Sequence, residues 1–134
     1  FADPSGLNMA NQSTAEDLKR MAQYILQNYP EILALTQIDE TTVFSQNLKV
    51  KHLLKNINLM AQAPAILKEL GIKYLGGKTG FTDEAKETYL GLFIAPSSKF
   101  PGQERRLLIV VLNSGSRYND VETLLRWVKK AYVF

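Results

Sequence analysis

Residues 76–82 read Gly-Gly-Lys-Thr-Gly-Phe-Thr, and they divide the chain into a helical half and a strand-rich half. Gly80 has no Cβ, so another backbone or a ligand can approach the chain closely there. Lys78 brings a positive charge and Thr79, beside it, a hydroxyl donor. In a strand, neighbouring side chains point to opposite faces, so the two cannot line one groove from one face. Both can still act on a single anionic ligand that lies along the strand edge. Taken without its surroundings, the Lys78-Thr79-Gly80 triplet also reads as a glycine-rich lead into a strand with a solvated lysine.

The flanking sequence predicts what this stretch is built into. Turn formers Pro4, Ser5, Gly6, Asn8 and Asn11 make residues 1–12 a loop. Ser13 followed by Glu16 fits a capping box. Leu18, Met21, Ala22, Ile25 and Leu26 then form an apolar stripe at helical spacing. Tyr29-Pro30 ends that helix, and Pro30 opens a short second one over 31–35. Residues 41–44 are a β-branched and aromatic strand, with 48–53 as its partner across Ser45-Gln46-Asn47. Residues 64–70 are a short helix closed by Gly71. Residues 72–75 lead into the glycine-rich strand, and 87–95 form the next one. Residues 96–104 connect it to 107–112, whose unbroken apolar run suits a central strand covered on both faces. Residues 113–119 read as loop. Asp120 marks a helix start, and Val121, Leu124, Leu125 and Val128 form its stripe, with Trp127 beside it. The expected product is α+β: an antiparallel sheet of roughly three main strands with helices packed against it.

The chain's 134 residues suffice for one small domain. A net charge of +3 without a basic run gives nucleic-acid binding little support. The chain has no cysteine, which excludes disulfides and thiolate catalysis. His52 is the only histidine and reads as a surface or strand residue, so no metal site is expected. No apolar run approaches the roughly 18 residues of a membrane span. The chain begins at Phe1 rather than a methionine, which reads as a piece of a longer precursor.

Lys78-Thr79-Gly80, with Phe81-Thr82-Asp83-Glu84-Ala85 after it, resembles the Lys-Thr-Gly strand of the low-molecular-weight penicillin-binding proteins, the serine D-alanyl-D-alanine carboxypeptidases. Asp3-Pro4-Ser5-Gly6-Leu7, the segment Ser13 to Leu18 and Asn28-Tyr29-Pro30-Glu31 are similar to earlier segments of that family. Residues 107–112 and Tyr132-Val133-Phe134 are similar to its last strand and helix. The matches run in the family's order over nearly the whole chain. The resemblance implies a partial β-lactamase/transpeptidase-like fold, with residues 1–134 as the C-terminal part of the catalytic domain. Asn56-Ile57-Asn58-Leu59 resembles the family segment before the active-site strand, although asparagine also simply favours turns. Two departures stand out. Lys86 follows Ala85 where the family usually has glycine, and the connection 96–104 is longer than usual.

The family's reaction is acyl transfer through a serine in a Ser-x-x-Lys motif, whose lysine can take the serine proton. No lysine of this chain has a serine three residues before it, so this chain alone is expected to be inactive. Ser45-Gln46-Asn47 has the pattern of the family's second motif but reads as the turn between two strands. The resemblance assigns Lys78 to the cleft potential and proton relay, Thr79 to the substrate's terminal carboxylate, and Gly80 to room along the strand edge. It assigns the backbone N–H of Phe81 to the oxyanion hole. It implies no cofactor. The implied partners are peptidoglycan stem peptides ending in D-Ala-D-Ala, β-lactam antibiotics and the N-terminal part of the same protein. The implied place is the bacterial cell envelope outside the cytoplasm, with a membrane attachment outside this chain. Two alternatives stay open: a non-catalytic module binding a peptide or partner at the sheet edge, and a β-lactamase fragment. The latter lacks an evident deacylating glutamate before the triplet, because the acidic residues near Ser13 read as helix caps.

Overall fold

The computed structural model describes residues 1–47, 49–97, 99–100 and 102–132. Leu48 of the predicted second strand, Ser98 and Pro101 of the 96–104 connection, and Val133 and Phe134 lie outside the described residues.

The main sheet has three antiparallel strands, β3 (Lys73–Thr82), β4 (Lys86–Pro96) and β5 (Glu104–Ser114), in the order β3-β4-β5. β1 (Glu40–Phe44) and β2 (Lys51–Lys55) form a separate antiparallel hairpin. Helices cover both faces of the main sheet. Ala22 and Leu26 of α1 (Ala15–Asn28) and Leu33 of α2 (Pro30–Leu35) line a groove with Leu90, Leu92 and Leu108. On the opposite face, α3 (Ala65–Leu70) and α4 (Arg117–Ala131) close the core. There Ile66, Leu67, Val121 and Leu125 pack with Tyr89, Phe93, Ile109 and Val111. Tyr89, Phe93, Val121 and Leu125 are fully enclosed, which puts most of the hydrophobic stabilisation on this face.

Several boundaries differ from the sequence-based expectation, each for a local reason. The cap of α1 is Thr14, not Ser13. Its hydroxyl accepts from the Asp17 N–H at 3.1 Å and donates to the Asp17 carboxylate at 2.9 Å. The residues 107–112 lie in an edge strand, while β4 is the central one. Asn113 and Ser114 belong to β5, and α4 begins at Arg117, so the predicted loop 113–119 shrinks to two residues. Of the α1 stripe, only Ala22 is buried.

The expected hairpin forms, but its second strand is Lys51–Lys55 rather than 48–53, and its link runs on past Asn47 to Val50. Ser45-Gln46-Asn47 is its turn, closed by the Ser45 N–H donating to Val50 O at 2.9 Å. Asn56 ties the hairpin base to the end of α2, its amide nitrogen donating to Thr36 O at 2.9 Å and Ile38 O at 3.0 Å. The predicted Gly71 cap is also in place: its φ of 65° is left-handed backbone that ends α3 and turns the chain into β3.

Candidate active site

The glycines of β3 let two neighbours press onto the strand. A Cβ at Gly76 would stand 2.5 Å from Leu33 O, and one at Gly77 would stand 2.3 Å from Leu90 O. The irregular register between Tyr74 and Gly76 shifts the strand just before the Lys-Thr-Gly triplet. Thr36, at the end of α2, then fixes the strand's direction. Its hydroxyl accepts from the Gly77 N–H at 2.9 Å and donates to Leu33 O at 2.7 Å. The Gly77 N–H therefore points away from β4. Backbone polar groups alternate sides along a strand, so the N–H and C=O groups of Thr79 and Phe81 lie on this same free edge, while those of Lys78 and Gly80 turn toward β4.

Lys78 pairs with Leu90, and Thr79 pairs with Tyr89, so their side chains take opposite faces of the sheet. Lys78 is exposed and Thr79 is buried on the α4 side. They converge at the edge, where the Lys78 ammonium donates to the Thr79 carbonyl. Among the described residues, none hydrogen-bonds the Thr79 hydroxyl. A Cβ at Gly80 would meet Thr88 Oγ1 at 2.6 Å, so the Thr88 side chain would have to turn aside for any larger residue there. The Phe81 side chain is exposed and its N–H faces the free edge.

Sequence reasoning missed two residues that hold this strand. Arg117, the first residue of α4, donates from Nη1 to Gly80 O at 2.8 Å and to Thr88 O at 3.3 Å. Glu87 of β4 accepts the Arg117 backbone N–H at 2.7 Å and pairs with its Nε at 3.2 Å. The Arg117 backbone and side-chain bonds hold the Glu87 carboxyl below its usual range. The available signal was the charge of Arg117: a cation in a helix's first turn opposes the helix dipole, so it implies an anionic partner nearby.

Below the start of β3, Asn58 joins three segments. Its side chain caps the short 3-10 helix Leu59–Gln62 through the Met60 N–H and donates to the Tyr74 hydroxyl at 2.8 Å. Burial pushes the Tyr74 hydroxyl up to about 12. Asn58 is thus both a turn former and a tie to the site strand, while Asn56 accepts the Asn58 N–H at 2.9 Å and ties the hairpin base to α2. His52 lies exposed in β2. No cluster of metal-ligating side chains occurs among the described residues.

The sequence profile of the D-alanyl-D-alanine carboxypeptidases matches residues 1–116. This chain belongs to that family. Two solved structures share this chain's fold. One, an evolved penicillin-binding protein homologue from Mycobacterium tuberculosis, is 23% identical with a TM-score of 0.70, over 98% of this chain and 47% of its own. The other, a D-alanyl-D-alanine carboxypeptidase from Mycobacterium tuberculosis, is 25% identical with a TM-score of 0.67, over 95% of this chain and 45% of its own. The chain therefore spans about half the length of the structures it matches. None of the curated proteins compared matches it. The expected fold class, helices packed on an antiparallel sheet, is the one these structures share with it.

Proposed function

We propose that this chain supplies the oxyanion and carboxylate side of a serine D-alanyl-D-alanine carboxypeptidase site, with the nucleophile coming from sequence outside these 134 residues. The observation that carries this reading is the free edge of β3, where the outward Phe81 N–H stands next to Lys78 and Thr79. A stem peptide laid along that edge would pair with its backbone as an added strand. The serine attacks the carbonyl between the two D-alanines, D-alanine leaves, and water hydrolyses the acyl-enzyme. The Phe81 N–H receives the oxyanion of each tetrahedral intermediate. The Thr79 hydroxyl binds the terminal carboxylate, and Lys78 supplies positive potential and a path for the serine's proton. β-Lactams, which carry a carboxylate in the same place, bind there too. The work is done on peptidoglycan at the outer side of the bacterial membrane, where such peptides occur.

A second reading has its own support. No Ser-x-x-Lys pair occurs in these 134 residues, which supports a peptide-binding module without catalysis.

The test uses the full-length protein and matched substrates, one with a free terminal carboxylate and one with an amide or ester. Thr79→Val keeps the branched shape and removes the donor. A hydrogen bond to a charged partner is worth about 1.5–3 kcal/mol, so kcat/KM for the acid should fall roughly tenfold to a hundredfold. The amide should lose much less. Lys78→Ala should harm both. Equal losses for Thr79→Val on both substrates would remove Thr79 as the carboxylate ligand. Full-length protein without turnover or penicillin labelling would leave the binding module as the better reading.

A further inference from the structure

Arg117 lies one residue beyond the family match, and none of the roles above uses it. We propose that Arg117 is a positioning residue for the oxyanion donor, acting through the peptide that joins Gly80 to Phe81. The inference rests on the reading of the Phe81 N–H as that donor.

The argument starts from one planar group. The Gly80 carbonyl and the Phe81 N–H belong to the same peptide unit and point in opposite directions. Whatever fixes the carbonyl also aims the N–H. Pairing with Thr88 on β4 fixes it in part. A strand end, however, is where ladder bonds fray, and Gly80 lies two residues from the end of β3. Arg117 Nη1 adds a charged donor to the Gly80 carbonyl and reaches the Thr88 carbonyl from the same nitrogen. It therefore clamps both strands at the pair that decides the peptide's tilt. A cation bonded to the carbonyl also polarises the amide, which makes the N–H at its other end a stronger donor.

The clamp is itself held. The Arg117 side chain is only 13% exposed, so solvent screens it less than a surface arginine. Glu87 takes its Nε and its backbone N–H on one carboxylate oxygen. Serving a carboxylate and two carbonyls at once needs the planar fork of arginine, which a lysine lacks. Glu87 also answers the helix dipole that Arg117 alone would oppose.

A purely structural role, stapling α4 to the sheet, predicts different kinetics. Arg117→Gln in the full-length protein should lower kcat about tenfold or more, a part of the loss seen when an oxyanion donor is removed outright. KM for the carboxylate substrate should stay unchanged. Affinity for a peptide boronic acid, whose adduct is a tetrahedral anion, should fall by the same factor as kcat. The Phe81 amide should exchange faster with deuterium. Arg117→Lys, which keeps the charge and is the milder change for folding, should fall between the two. A folded Arg117→Gln or Arg117→Lys enzyme with unchanged kcat and boronate affinity overturns the proposal, as does a loss that appears equally in KM. A wild-type enzyme that binds no boronate and turns over no D-Ala-D-Ala peptide overturns the site reading itself, and the catalytic role of Arg117 with it.

Discussion

Lys86 carries a cost that one substitution should remove. It opens β4 with a φ of 54°, a left-handed conformation, in the turn after the Lys-Thr-Gly strand. Left-handed backbone costs a side-chain-bearing residue about 1–2 kcal/mol, and the family usually has glycine here. Glycine gives back part of that gain through the greater freedom of its unfolded chain, about 0.5–1 kcal/mol. Lys86→Gly is therefore expected to stabilise the protein slightly, raising Tm by roughly 2 °C in a thermal melt. A lower Tm would show that the lysine side chain makes a contact that outweighs the strain. Asn113 shares the conformation, with φ also 54°, but asparagine tolerates it well. At this scale the sequence is readable where one residue type is required, as at Gly71, and ambiguous where two neighbours are equivalent. Ser13 and Thr14 are both good caps, and only the placement of Asp17 selects Thr14. The Thr88 hydroxyl that crowds Gly80 is brought there by strand pairing from eight residues away, and no local pattern in the sequence records it.

β5 shows how element patterns inform and mislead. Its apolar run does reflect two covered faces: Leu108 faces the α1 groove, and Ile109 and Val111 face α4. Coverage of both faces says nothing about neighbours on both edges, which is why an edge strand can carry a central strand's composition. The contact between α2 and β3 is a tighter constraint and gives a sharp expectation. Gly76 has a φ of 128°, and a Cβ there would press on Leu33 O at 2.5 Å and Thr36 Oγ1 at 2.7 Å. Gly76→Ala should cost at least about 2 kcal/mol, because the clash is with helix backbone as well as with a disfavoured conformation. It should also disturb the Thr36 hydroxyl that orients Gly77 and, through alternation, the site edge. Gly115→Ala, with nothing within 4 Å of its Cβ, is the control and should cost far less. Denaturant unfolding of both variants measures the difference; equal midpoints would mean that α2 gives way without loss.

On the scale of the whole molecule, the question is what the surface does when this chain is alone. Among the described residues, the outer edges of β3 and β5 have no strand beside them, and such edges template further pairing. The β1–β2 hairpin leaves Val43, Phe44, Leu53 and Leu54 exposed, and Met21 and Tyr24 of α1 are exposed as well. Scattered apolar residues are ordinary on a surface, but several on one hairpin beside open edges favour association. The net charge of +3 provides only weak repulsion against it. The isolated chain is therefore expected to self-associate as its concentration rises. Light scattering behind size-exclusion chromatography would show a mass above 15.1 kDa that grows with loading. A Phe44→Lys, Leu54→Lys double variant separates the two causes, since it adds charge to the hairpin and leaves both sheet edges open. Loss of association in that variant would place the contact on the hairpin, and association unchanged by it would place the contact on the strand edges. A monomer at every concentration, unfolding cooperatively at high temperature, would show that neither surface is sticky enough to matter.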